Sequence, residues 1–150
     1  MRTPRRTLLP AFLLIVALVC ALASPAQAGT RAERNRKKLL GFVNDVRRDH
    51  GLARFKELPR LSDLAWQHSL HMARQRRLYH TKDLGSKLRS WSPTRWGENV
   101  GVGPSIWRIV RMWERSPAHL YNMVHPGFHR AGVGVVYARG AYWATLIVIG

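Results

Sequence analysis

Three side chains are of the types that hold a metal ion or move a proton. They are His80 in L-Y-H-T, Glu98 in W-G-E-N-V and His119 in E-R-S-P-A-H. An imidazole offers a lone pair or a proton near neutral pH, and a carboxylate accepts hydrogen bonds and balances charge. Two histidines and one glutamate are therefore a metal or acid–base set. Glu98 and His119 fall within one stretch, Trp96 to His119. The glutamate sits there in a Gly-rich turn (Gly97, Gly101, Gly103), and the histidine just past a helix end. His80 lies upstream and must fold back onto them. With a metal, Glu98 is either a further ligand or the partner that orients an imidazole by accepting its N–H. Without one, the three form a hydrogen-bonded cleft network.

The elements that must position these groups follow from periodicity. After a polar, basic lead-in, a helix is expected over about 32–50, where Leu39, Leu40, Val43 and Val46 recur at helical spacing before Gly51. The mixed segment 52–58, followed by Pro59, reads as a brief edge strand. A second helix is expected from an N-cap at Ser62, with Asp63 in its first turn and an inward stripe of Leu61, Leu64, Ala65, His68 and Met72. It ends on the basic run Arg74, Arg76 and Arg77, a few residues before His80. Residues 86–91 suggest a helical turn that Ser92-Pro93 ends. From Pro104 a helix carries Ile106, Ile109, Val110 and Trp113 on one face, with Arg108, Arg111 and Arg115 on another. Pro117 breaks or restarts it, and 118–124 read as a further short turn. The period then changes. Residues 133–138 and 142–149 are β-branched and aromatic around Arg139-Gly140, an antiparallel hairpin. Helices around a small antiparallel sheet make an α+β domain of stacked layers.

Residues 1–28 read as an export signal: Arg2, Arg5 and Arg6, an apolar run from Leu8 to Ala23, and Ala26-Gln27-Ala28 as the cleavage site. The apolar run, about sixteen residues and broken by Pro10, is shorter than the roughly 20 a transmembrane helix needs. No transmembrane anchor is expected once the signal is removed. The one cysteine, Cys20, lies within it, so no disulfide, thiol nucleophile or cysteine metal site is expected after cleavage. The organisation is then a signal at 1–28, a basic lead-in at 29–35 and one domain at 36–150. The formal charge is +17, and removing three arginines with the signal leaves +14. Such a balance favours anionic partners, including an envelope or cell-surface polymer, although no specific nucleic-acid motif is present.

Five motifs in order carry a resemblance to a known family. They are L-L-G-F-V-N-D-V-R at 39–47, L-S-D-L-A-W-Q-H-S-L-H-M-A at 61–73 leading into L-Y-H-T at 78–81, and G-E-N-V at 97–100. W-E-R-S-P-A-H at 113–119 with N-M-V at 122–124, and G-V-G-V at 132–135, complete the set. Over residues 36–150 the chain resembles the CAP superfamily (cysteine-rich secretory, antigen 5 and pathogenesis-related-one proteins; the SCP domain) in its bacterial, disulfide-free branch. The resemblance implies an α-β-α sandwich with a central cleft, lined by two histidines and usually two glutamates, that binds zinc or another divalent cation in several members. By motif match the cleft residues are His80, His119 and Glu98. Where bacterial relatives often have the second glutamate, this chain has Pro117, and Glu114 is the nearest substitute. Trp96, beside Glu98, is a candidate cleft wall, while Trp107 and Trp113 are assigned to the core. His68 is expected to be a satisfied core histidine and His71 exposed, with His125 and His129 near the site in sequence.

The resemblance further implies an exported, extracellular binding module for a small ligand such as a lipid or sterol, with no general enzymatic activity. Two alternatives stand beside it. One is a metal-dependent hydrolase of envelope peptide or polysaccharide, its catalytic residues undefined because no serine or cysteine nucleophile is evident beside the histidines. The other is a cationic surface-binding protein.

Overall fold

The computed structural model describes residues 25–150, in the order α1 (Pro25–Asp49), β1 (Lys56–Glu57), α2 (Pro59–Gln75), α3 (Leu84–Lys87), a 3-10 turn at Arg89–Trp91, β2 (Trp96–Gly103), α4 (Ile106–Glu114), α5 (Pro117–Val124), β3 (Arg130–Ala138) and β4 (Ala141–Ile149). The signal assigned to 1–28, with Cys20, falls outside these residues except for 25–28, which lie on α1. α1 begins at Pro25, ahead of the helix expected from about residue 32, and takes in the basic lead-in at 29–35. The lead-in's Ala, Arg and Glu residues are strong helix formers, and Glu33 pairs with Lys37 one turn on at 2.9 Å.

β3 and β4 form the predicted hairpin, in register from Arg130↔Ile149 to Ala138↔Ala141. Arg139 and Gly140 have φ of 53° and 78°, the left-handed pair that a two-residue hairpin loop requires. The sheet order is β1-β3-β4-β2. It is mixed rather than wholly antiparallel, because β1 pairs parallel with β3. The stretch read as a Gly-rich turn is a strand. β2 pairs antiparallel with β4 over its whole length, from Trp96↔Ile149 to Gly103↔Tyr142. Its glycines concealed the alternation that would have marked it.

Two side-chain layers sandwich this sheet. On one face Ala131, Val133, Val135, Ala144, Leu146 and Val148 pack with Leu39 and Val43 of α1, Ile109 and Trp113 of α4, and Met123 of α5. On the other, Ile147 and Ile149 pack with Leu61 and Ala65 of α2. This is the expected α+β, α-β-α sandwich. α2 begins at Pro59 rather than at Ser62, Leu58 taking the cap position. Ser62 is buried instead: its Oγ donates to Glu57 Oε1 at 2.7 Å and accepts the Val133 N–H at 3.1 Å, tying α2 to β1 and β3. α4 is capped by Ser105, whose Oγ accepts the Arg108 N–H at 3.2 Å. Trp113 is buried as expected, but Trp107 is half exposed, because it falls beside Arg108 on the outward face of α4.

Candidate functional site

The candidate site gathers at β2, an edge strand of the described sheet. Glu98 lies opposite Ile147 and so faces the α2 layer, while its neighbour Asn99 lies opposite Leu146 and faces the α5 layer. An edge strand leaves alternate backbone groups unpaired. Here the Glu98 carbonyl accepts from Asn122 Nδ2 at 3.2 Å and the Val100 carbonyl from Trp113 Nε1 at 3.0 Å. Asn99 Nδ2 donates to the His119 carbonyl at 2.9 Å, and Asn122 Nδ2 donates to Asn99 Oδ1 at 2.9 Å. These amides lock α5, and with it His119, onto β2. Gly97 makes the approach possible, since a Cβ there would stand 2.3 Å from Asn122 Oδ1. Asn99 and Asn122 lie within the G-E-N-V and N-M-V motifs. Their amides, spaced to bridge a strand and a helix, were the available signal.

His80 follows α2 on an extended segment that His68 holds in place. The buried His68 donates from Nε2 to the Tyr79 carbonyl at 2.8 Å, and its ring meets Tyr79 edge-on at 5.1 Å. Next in the chain, His80 Nδ1 donates to Glu98 Oε1 at 2.8 Å, and the Thr81 N–H donates to the same oxygen at 2.8 Å. The Glu98 side chain is 4% exposed against 62% for His80. A buried acid thus anchors an open imidazole. Glu98 Oε2 and Thr81 Oγ1 are buried with no hydrogen-bond partner.

His119 stands just past the end of α4, in the first turn of α5, with its Nδ1 2.8 Å from Ser116 Oγ. Ser116 occupies the cap position and makes no cap bond. Its hydroxyl is committed to the imidazole instead. Burial first, and the neighbouring charge of His80 second, hold His119 below the ordinary imidazole value of 6.5. The unfolded chain takes up that proton at 6.5 while the folded chain resists it. The associated stability is complete above pH 6.5 and is lost as pH falls from there through the folded value. NMR titration of the metal-free protein is therefore expected to place His119 below 6.5. His119→Gln should flatten the decline of unfolding free energy on the acid side of 6.5. A midpoint at or above 6.5 would contradict the geometry.

The other sequence candidates lie elsewhere or in supporting positions. Glu114 does not substitute for a second cleft glutamate: it accepts from Arg111 at 2.8 Å and lines a recess with Phe42, Asp45 and Asp49 of α1. Its place near the end of α4 turns it toward that helix. Trp96 is half exposed on the same face of β2 as Glu98, and its ring covers Gly85 of α3. His125 stacks with Tyr121 and Phe128 and accepts the Gly127 N–H on Nδ1 at 2.9 Å. His71 and His129 are exposed. A recess of about 330 Å³ beside Trp66, Arg36 and Asp63 touches neither cleft histidine.

Among the described residues no three His, Cys, Asp or Glu side chains converge closely enough to hold a metal. The hydrogen bonds described above engage Nδ1 of both His80 and His119 and leave the two Nε2 atoms outside them. Glu98 stands behind the His80 ring and Ser116 behind that of His119, so each imidazole is oriented through its Nδ1.

The α-β-α sandwich around a small mixed sheet gives the class of fold. The sequence profile described as CAP, the cysteine-rich secretory protein family, matches residues 40–148. The chain belongs to this family. Its fold is similar to that of an extracellular SCP-domain protein from Bacillus anthracis (23% identity over 84% of this chain and 43% of that one, TM-score 0.71). It is also similar to an outer surface protein from Borrelia burgdorferi (15% identity, 78% and 92% covered, TM-score 0.70). A cysteine-rich secretory protein from Staphylococcus aureus is a third (21% identity, 79% and 39% covered, TM-score 0.64). The chain thus spans less than half the length of the Bacillus and Staphylococcus proteins. No curated protein sequence matches it. No helix among the described residues is long and apolar enough to cross a membrane.

Proposed function

We propose that this CAP domain is an extracellular binding module whose cleft takes a divalent cation, zinc first among candidates, between the Nε2 atoms of His80 and His119. The observation that carries the reading is the buried Glu98 carboxylate, which accepts the His80 Nδ1–H through one oxygen and keeps the other unpaired. Holding the proton on Nδ1 leaves the His80 Nε2 lone pair free for a metal. His119 supports the same role: held below 6.5, it stays neutral, and a Ser116 hydroxyl that accepts from Nδ1 frees its Nε2. A bound cation would supply a Lewis-acid point with open positions for the donor atom of a small ligand. Asn99 and Asn122 fix the backbone that carries both sides of the cleft. The extracellular setting rests on the descriptions of the Bacillus and Borrelia proteins together with the export signal read in the sequence.

Calorimetric titration of zinc into the purified protein tests this reading. Affinity in the micromolar range or tighter is expected, absent in His80→Ala/His119→Ala and weakened about 10–100-fold in Glu98→Gln. Equal binding by the parent and the double variant would remove the metal from the cleft and leave a structural network.

A further inference from the structure

The outward face of α4 has no role in the cleft. Trp107, Arg108, Arg111, Met112 and Arg115 are its exposed residues. At 3.6 residues per turn they form one stripe, with Trp107 and Met112 at its two margins and the three arginines between. Trp107 is 50% exposed and Met112 48%. Arg111 is shared with Glu114, whereas Arg108 and Arg115 make no ion pair among the described residues. The Arg108 guanidinium lies 5.7 Å from the Trp107 ring centroid. Lys38 and Phe42 of α1 share a recess with Trp107, extending the same pairing of cation and apolar side chain onto a second helix.

We infer that this face docks on an anionic phospholipid bilayer. Arginine forks match phosphate oxygens, and Trp and Met supply apolar bulk that enters the boundary between headgroups and acyl chains. A hydrated soluble polyanion has complementary charge but gives the margins nothing to bury in. A bilayer interface satisfies both parts of the stripe. The buried face of α4, with Ile109 and Trp113 in the core, keeps the helix fixed while the stripe is presented. Docking is therefore a surface event that leaves the fold unchanged.

Vesicle co-sedimentation tests this, with parent and variants purified in the same processed form. Vesicles of phosphatidylglycerol mixed into phosphatidylcholine should bind the parent far better than phosphatidylcholine alone. Arg108→Gln/Arg115→Gln should weaken that binding by at least about tenfold. The charge-matched Arg60→Gln/Arg74→Gln, on α2 across the sheet, should weaken it by less than about threefold. Trp107→Ser/Met112→Ser should also weaken it while circular dichroism shows an intact fold. Equal losses in the two arginine pairs would make net charge the cause and overturn the assignment. So would retention of binding in the Trp107/Met112 variant, which would leave a soluble polyanion as the partner of this face.

Discussion

Gly134→Val is expected to abolish folding, and Gly134→Ala to cost about 3 kcal/mol or more. A Cβ at Gly134 would stand 2.2 Å from the Trp66 nitrogen and 2.3 Å from the Ala65 carbonyl carbon. Those are backbone atoms of α2, so no side chain can swing aside. The helix would have to lift off the sheet, uncovering Leu61, Ala65 and Ile147. Ser69 would move as well. Its Oγ bonds the Gly134 carbonyl at 3.1 Å and lies 2.8 Å from Thr145 Oγ1, where the layers meet in a buried polar contact. Gly132 faces the same helix, with Leu61 backbone 2.3 Å from where its Cβ would be. The pair is a flat track for α2, the element that delivers His68 and then His80 to the cleft. Urea unfolding of Gly134→Ala is the measurement. A midpoint close to the parent's, with an unchanged slope, would refute the close packing.

That track was legible as a motif before its reason was. G-V-G-V read as a strand because its valines alternate with small residues, but nothing in the sequence says that the small side touches a helix. The converse held at β2, where Gly97, Gly101 and Gly103 suggested a turn. Those positions are strand residues made small because Asn122, Ile109 and Trp113 press on them. Local propensity reports the backbone's freedom, while the tertiary neighbour decides how that freedom is used. The same limit explains Glu114 and Trp107. Seven residues apart, they share one flank of α4 and line one recess against α1, and only the position of α1 decides how far each is covered. The three candidate residues, His80, Glu98 and His119, stood out in the sequence as chemistry and by motif. Their hierarchy did not, because the burial of Glu98 and the commitment of Ser116 to His119 depend on how α2 and α5 meet the edge of β2.

The second large effect is expected far from the histidines, at Arg47. This guanidinium is buried and pairs with no carboxylate among the described residues. Nε donates to the Ala53 carbonyl at 2.7 Å, Nη1 to Met123 at 2.7 Å and Nη2 to Phe128 at 3.1 Å, with the group 3.8 Å above the Phe55 ring. Burial lowers its pKa, although an arginine stays charged at any working pH. Arg47→Met fills similar volume but leaves three carbonyls without donors, one of them near the end of the helix that carries His119. A loss of about 3–4 kcal/mol is expected. Arg47→Lys keeps the charge but cannot reach three carbonyls with a forked plane, so about 2 kcal/mol should still be lost. The order parent, lysine, methionine in urea midpoint is the test. A lysine variant equal to the parent would mean that charge alone matters at this site, rather than the fork that joins α1, α5 and the turn before β3. Because α5 is held by Asn99 at one end and Arg47 near the other, the methionine variant should also broaden the His119 resonance while the protein remains folded. That outcome would tie the geometry of the cleft to a residue that never touches it.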